Sequence, residues 1–201
     1  YLVFYGDTTD KDGNVVEGEG ASEISGAIDI PRQTEAGWLV ETDTGGGNQD
    51  KVSVASYGNL PNIIGGTNPW TIVINKEAEG SLPALAYYLY RVNTATGDFR
   101  AFVGTDGVMQ VDYSGRQLLV ANAHLANQIV ILWDGTNFFC YLDGNYAKSD
   151  TTGSTSVDIG TTMYLFSNST GGSQPNLAVG EFLMYNGLLT RTDMAYLKQQ
   201  G

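Results

Sequence analysis

The chain of 201 residues is 42% hydrophobic, which is enough to form one buried core without disulfides or structural metal ions. Ten basic and 22 acidic side chains give a formal net charge of −12, so nucleic acid and anionic membranes would be repelled. No stretch approaches the roughly 18 consecutive apolar residues that a membrane span needs, and membrane insertion is therefore not expected.

The single cysteine, Cys140, excludes an intramolecular disulfide. It lies in the apolar run Phe138–Leu142, where we expect it to be a small buried side chain. An extracellular domain of this size needs no disulfide, so the cysteine count is compatible with an extracellular location.

Alternating apolar and polar residues, separated by glycine-rich turns, predict many short β-strands. Asp-Gly pairs, as at Asp134-Gly135 between two apolar runs, are typical of hairpin turns. The predicted strands are Tyr1–Tyr5, Ser22–Ile30, Trp38–Thr42, Lys51–Ser56, Trp70–Asn75, Leu85–Asn93, Asp98–Val103, Val108–Tyr113, Leu118–Ala121, Gln128–Trp133, Asn137–Leu142, Thr162–Ser167 and Ala178–Tyr185.

Only the end of the chain has a helical pattern. Thr190 is the predicted N-cap, with Asp193 at the capping-box position, and Leu189 and Met194 are spaced as a hydrophobic staple. Met194 and Leu197 are expected on one face of this helix. Short strands without alternating helices favour an antiparallel sandwich. The sequence therefore predicts an all-β fold, with two antiparallel sheets and a short C-terminal helix, in one domain spanning residues 1–201.

Five motifs follow one another in a familiar order from about residue 51 onward, and the first is Lys51–Val54 (KVSV). The others are Asn68–Ile74 (NPWTIVI), Ile129–Thr136 (IVILWDGT), Phe139–Gly144 (FCYLDG) and Val179–Thr190 (VGEFLMYNGLLT), the last leading into the helix. This series resembles the laminin-G-like jelly rolls of the concanavalin A-like lectin and glucanase superfamily. The resemblance implies two curved sheets with a concave face, and functions that are mostly sugar or protein binding, with a minority of glycanases and polysaccharide lyases.

Catalytic carboxylates are not in the arrangement that glycan cleavage needs. Glucanases of the superfamily carry E-x-D-x-x-E on one strand, and the closest stretch here has Glu41 and Asp43 but Gly46 at the third position. The pair Glu77 and Glu79 is expected to be solvated loop charge. We therefore expect no enzymatic activity.

The only histidine, His124, also fails to complete a catalytic set. Lyases of this fold use His and Tyr near an arginine-rich strand, and a nucleophilic triad needs a histidine base beside a nucleophile. His124 lies at a predicted turn between strands, where a surface or hydrogen-bonded side chain is expected.

An acidic segment near the start offers a candidate calcium site. Asp10, Asp12, Gly13 and Glu19 match positions of a twelve-residue calcium-binding loop, although Thr8 stands where an aspartate is expected. A hairpin turn with acidic side chains in water is the alternative, and it fits the lack of flanking helical patterns better. Asp10, Asp12 and Glu19 are the candidate Ca²⁺ ligands.

Sugar binding requires aromatic faces beside a few planar polar groups. The predicted hairpin over residues 85–103 supplies both kinds of side chain. Alternation places Tyr88 and Tyr90 on one face and Arg91 on the other, with Arg91 and Arg100 opposite each other. Tyr88, Tyr90, Arg91 and Arg100 are therefore the candidate ligand-binding residues.

The leading hypothesis is a non-catalytic, lectin-like recognition module that binds a cell-surface glycan or protein receptor. The composition favours an extracellular or virion-surface setting, such as host attachment by a phage or viral fibre or cell adhesion by a bacterial surface protein, where homo-oligomers are common. Two alternatives stay open: a glycanase or lyase of the same fold, and a structural or adhesion domain that contacts a neighbouring protein.

Overall fold

A computed structural model of the chain describes residues 2–5, 32–34, 37–40, 52–54, 64, 67–94, 99–113, 115–150, 159–166 and 177–200. The β-strands formed by these residues are β1 (Leu2–Tyr5), β2 (Arg32–Thr34), β3 (Gly37–Val40), β4 (Val52–Val54), β5 (Trp70–Lys76), β6 (Tyr87–Thr94), β7 (Phe99–Val103), β8 (Met109–Tyr113), β9 (Arg116–Val120), β10 (Gln128–Trp133), β11 (Phe138–Leu142), β12 (Asn145–Asp150), β13 (Ile159–Leu165) and β14 (Leu177–Asn186). A 3-10 helix covers Ala123–Leu125, and helix α1 covers Arg191–Gln200.

The described strands form two sheets in which hydrogen-bonded neighbours run antiparallel. The first sheet has eight strands in the order β12-β11-β10-β5-β14-β3-β2, with β1 pairing to a further part of β14. The second has six, in the order β4-β13-β6-β7-β8-β9. The predicted class, an all-β antiparallel two-sheet jelly-roll sandwich with a short C-terminal helix, is confirmed.

Central strands of the first sheet are buried on both faces. All residues of β5 and of β10 are buried, which explains why their sequences are nearly continuous apolar runs rather than alternating ones. Ile72 and Ile74 face the second sheet in the main core, while Val73 and Val130 pack in a smaller cluster on the opposite face. The predicted burial of Cys140 is confirmed, and burial raises the pKa of its thiol.

Helix α1 begins as its sequence predicts. Asp193 accepts hydrogen bonds from the Thr190 amide (2.8 Å) and hydroxyl (2.7 Å), and the Asp193 amide donates to the Thr190 hydroxyl at 3.2 Å. Aspartate thus completes the capping box in place of the usual glutamate. Met194 belongs to the smaller cluster on the first sheet and Leu189 packs against this cluster, an arrangement that agrees with the staple. The Leu197 side chain lies outside the described residues.

Some elements were not predicted. Strand β12 has the polar sequence Asn-Tyr-Ala-Lys-Ser-Asp and forms because it pairs with β11 at the edge of the sheet. Strand β2 was missed as well, and the predicted strand Ser22–Ile30 lies outside the described residues. Among the described helices, none is long and apolar enough to cross a membrane.

Candidate ligand-binding face

A β-bulge in β6 decides which tyrosines reach the surface. The pairing between β6 and β7 shifts register between Tyr88 and Tyr90, and the extra residue turns Tyr90 inward. Tyr90 is completely buried, with its ring 5.2 Å from that of Phe99 and 5.9 Å from that of Phe182. The prediction that Tyr88 and Tyr90 share a face is therefore wrong, and Tyr90 is a core residue.

The other three predicted ligand-binding residues share the outer face of the second sheet. Arg91 on β6 pairs directly with Arg100 on β7, as predicted, and Tyr88 pairs with Phe102. We call the following set, which combines them with their cross-strand neighbours on β7 and β8, the polar–aromatic face: Tyr88, Arg91, Arg100, Phe102, Gln110 and Asp112.

Asp112 fixes the charged part of this face. Its carboxylate accepts a hydrogen bond from Arg100 Nε at 2.8 Å and others from Gln110 at 3.0 Å and Gln117 at 3.4 Å. The Arg100 guanidinium also lies over the Phe102 ring, 5.4 Å from its centroid. Arg100 is thus oriented by its neighbours before any ligand binds, the type of preorganisation that binding sites require.

Aromatic surface lies beside these charges. The Tyr88 and Phe102 rings are 5.7 Å apart in a tilted arrangement, and both side chains are half-buried. Leu119 on β9, which is 42% exposed, pairs with Gln110 and extends the same row. The face therefore combines apolar ring surface with planar hydrogen-bonding groups, as ligand sites do.

A separate cleft of about 460 Å³ lies between the two sheets at the edge strands β9 and β12. Its lining includes Leu119, Asn122, Tyr146 and Lys148, and Tyr146 is 54% exposed. Leu119 belongs both to this cleft and to the row that extends the polar–aromatic face. The cleft is the second location in which a ligand could be held.

Ionisable groups also gather where the chain passes from β5 to β6. Lys76 is 4% exposed, and its Nζ donates hydrogen bonds of 3.0 Å to the main-chain carbonyls of Glu77 and His124. Burial lowers the pKa of the Lys76 amine to about 8, against the opposing effect of the carboxylates of Glu79, Asp143 and Glu77. Because this amine is enclosed and bound to carbonyl oxygens, we assign it a structural role.

Glu79 is part of the same region and is not the solvated loop charge that its sequence context predicts. It accepts a hydrogen bond of 2.6 Å from the Tyr87 hydroxyl. Burial, followed by this carboxylate, raises the pKa of the Tyr87 phenol. The pair joins the loop after β5 to the first residue of β6.

His124 is hydrogen-bonded, as predicted, but it is buried in the 3-10 helix rather than on the surface. Its Nδ1 lies 3.3 Å from the Gly107 carbonyl oxygen, which selects the tautomer with the proton on Nδ1. Gly107 has a φ of +73°, and a Cβ atom there would lie 2.3 Å from His124 Nδ1.

Gly107→Ala is expected to lower the free energy of unfolding by about 2–3 kcal/mol, because it adds steric overlap with His124 to the strain of a positive φ. Gly144→Ala is the matched control, since Gly144 has a φ of +79° but no atom within 4 Å of the place that an added methyl group would take. Urea unfolding followed by circular dichroism measures both. Equal losses in the two variants would show that the contact with His124 is unimportant.

The candidate calcium ligands Asp10, Asp12 and Glu19 lie outside the described residues, so the calcium site stays a prediction. Glu41 and Asp43 also lie outside them. Within the ranges that the structure describes, no group of three or more His, Cys, Asp or Glu side chains could hold a metal ion.

Sequence reasoning missed the residues that complete the polar–aromatic face and its hydrogen bonds, namely Phe102, Gln110, Asp112 and Gln117. Their positions on this face could be predicted from the register of the hairpins. Once β7 and β8 pair with Val103 opposite Met109, Arg100 comes opposite Asp112, and pairing of β8 with β9 adds Gln117. Asp106-Gly107 is an Asp-Gly pair typical of a turn, but these residues come together only when the register of this hairpin is extended across β8 to β9.

Comparison with known proteins yields fold-level likenesses. No family model matches the chain, and no curated protein matches it. Among solved structures, it is similar to the binding domain of botulinum neurotoxin serotype D/C (TM-score 0.67, 12% identity, 99% of this chain and 51% of that one) and to a botulinum neurotoxin type C structure (TM-score 0.65, 12% identity, 99% and 51%).

A third similar structure is the Trypanosoma rangeli sialidase, with a TM-score of 0.50 and 19% identity over 66% of this chain and 23% of that one. The chain spans about half the length of the neurotoxin structures. At these identities the likeness shows the β-sandwich fold alone.

Proposed function

We propose that residues 1–201 form one laminin-G-like β-sandwich domain, and that it is a non-catalytic recognition module that binds a glycan through the polar–aromatic face. The observation that carries this proposal is the placement of the Tyr88 and Phe102 rings beside the Arg100–Asp112 ion pair on one face of the second sheet. Sugar rings pack their C–H surfaces on aromatic rings, while their hydroxyl groups need planar donors and acceptors such as these.

Two features of the described residues support binding rather than cleavage. The carboxylate of this face, Asp112, is occupied by Arg100, Gln110 and Gln117 and has no second carboxylate paired with it. Two other buried ionisable groups, Lys76 and His124, are 4% and 6% exposed and are bound to main-chain carbonyls. Glycan cleavage would need two accessible carboxyl groups on either side of one bond.

The neighbours support the same proposal at the level of the fold. The type C botulinum neurotoxin depends for cell entry upon interaction with two ganglioside molecules, and gangliosides carry oligosaccharides. An extracellular or virion-surface location, and attachment to a host or cell surface, belong to this proposal and are suggested by the composition alone.

The primary test is a glycan array probed with the purified chain, together with assays for reducing sugar and unsaturated products released from polysaccharides. Retention of glycans without product release is expected. Product release would overturn the proposal in favour of a glycanase or lyase. If no glycan is retained and no product is released, and the chain self-assembles stably in solution, a structural or adhesion domain is favoured instead.

Phe102→Ala is expected to weaken binding of an array-identified glycan about tenfold or more, because it removes a sugar-stacking ring and the surface on which Arg100 rests. Calorimetric titration measures the affinity. Tyr146→Ala, which removes an exposed ring from the cleft instead, should leave the affinity unchanged. The reverse pattern would move the binding site to the cleft.

A further inference from the structure

Arg91 is an unusual feature of the polar–aromatic face because it lies directly opposite Arg100 on the neighbouring strand. Like charges in directly opposed positions of a sheet repel each other. The charge of Arg100 is compensated by Asp112 at 2.8 Å. A corresponding partner for Arg91 would be a carboxylate within reach of its guanidinium.

The described residues do not supply that partner. Asp112, the carboxylate of this face, already accepts hydrogen bonds from three other side chains. On its other side, Arg91 pairs with Tyr164 of β13, a residue that carries no carboxylate. Among the described residues, no hydrogen bond or ion pair engages the Arg91 guanidinium, although the chain has 22 acidic side chains.

We propose that the ligand supplies the missing charge: the glycan bound at the polar–aromatic face carries a carboxylate, which the guanidinium of Arg91 binds. This inference rests on the proposed function. The planar fork of arginine matches the two oxygens of a carboxylate, and the half-buried position of Arg91 strengthens a charge-assisted hydrogen bond. The Tyr88 and Phe102 rings then provide the surface for the sugar that bears the carboxylate.

The net charge of −12 restricts the ligand further. A long polyanion would meet the repulsion of the whole surface, whereas one carboxylate beside Arg91 interacts over a distance shorter than the roughly 10 Å screening length at 0.1 M salt. The preferred ligand is therefore a short glycan, or glycan terminus, with one acidic sugar. The same repulsion is the reason that nucleic acid is not expected as a partner.

The test compares acids with their methyl esters, which have nearly the same shape but no charge. A glucuronic-acid-terminated disaccharide and a sialylated trisaccharide, each with its methyl ester, are titrated calorimetrically into the purified chain. At least one acid is expected to bind tenfold or more tightly than its ester. Equal affinities for acid and ester would overturn the inference and leave the proposed function standing, whereas binding of neither form, together with a silent glycan array, would overturn both.

Variants test whether Arg91 is the residue responsible for the preference for the acid over its ester. Arg91→Gln should abolish the preference for the acid while the ester still binds, and Arg91→Lys should restore only part of it, because an ammonium lacks the fork. Arg191→Gln is the matched control, since it removes the same charge from an exposed position on α1 and should retain the preference. The melting temperature of Arg91→Gln should be unchanged or raised, because the repulsion from Arg100 is relieved. An acid preference that persists in Arg91→Gln would overturn the inference.

Discussion

Replacing Trp70 by alanine is expected to lower the free energy of unfolding by about 3–5 kcal/mol, the largest stability effect that we predict. Trp70 is completely buried where the two sheets face each other. Its ring lies 5.2 Å from Phe99, 5.7 Å from Tyr113 and 5.9 Å from Phe138, each in an edge-to-face arrangement. The substitution removes ring contacts with both sheets at once and leaves a cavity.

Urea unfolding followed by far-ultraviolet circular dichroism is the appropriate measurement, because the substitution itself removes a fluorescent tryptophan. Tyr146→Ala is the control. It also removes an aromatic side chain, but one that is 54% exposed on an edge strand, so a loss below about 1 kcal/mol is expected. Comparable losses in the two variants would mean that Trp70 does not join the two sheets in the way that its contacts indicate.

The core was predictable because buried strands have recognisable apolar patterns in the sequence. The nearly continuous apolar runs of β5 and β10 and the alternating pattern of β7 predict these strands. Strand β12 has no such pattern, since its first four residues are exposed and mostly polar or small. It is a strand only because it pairs with β11 at the edge of the sheet. Hydrophobic patterns indicate which residues are buried, and an exposed edge strand buries little of its surface.

The candidate site was predictable only in part, because a single inserted residue changes which side chains share a face. The pairing of Arg91 with Arg100 follows from a regular hairpin and is confirmed. The placement of Tyr90 beside Tyr88 assumed an unbroken alternation, which the bulge in β6 interrupts. Nothing in the local sequence distinguishes these neighbouring tyrosines, and the packing of Tyr90 against Phe182 of the other sheet decides the outcome.

Lys76 presents a different physical question, because a buried amine can fold either charged or neutral. Its charged form has lost most of its hydration, which is why its pKa falls from the ordinary 10.5 to about 8. The neutral amine still has two N–H groups, enough for the carbonyls of Glu77 and His124 that accept its hydrogen bonds. Deprotonation therefore removes a desolvated charge without leaving either carbonyl unpaired.

The free energy of unfolding of the native chain, measured relative to Lys76→Met, is accordingly expected to rise by about 3 kcal/mol between pH 8 and pH 10.5. In this window the unfolded state holds a proton on Lys76 that the folded state has released, so raising the pH favours folding. Below about pH 7 both states are almost fully protonated, and the difference between the two proteins should be nearly constant.

The comparison with Lys76→Met is needed because other buried groups act in the opposite direction. Burial raises the pKa values of Cys140 and Tyr87, so the unfolded state loses protons first at alkaline pH and both proteins are destabilised. This contribution cancels in the difference. Lys148→Met, a change at an exposed position on β12, is the control, and the free energy of unfolding of the native chain measured relative to it should show no such rise. If the curves for the native chain and Lys76→Met stay parallel from pH 7 to 10.5, the amine of Lys76 is hydrated in the folded protein and its structural role would have to be assigned differently.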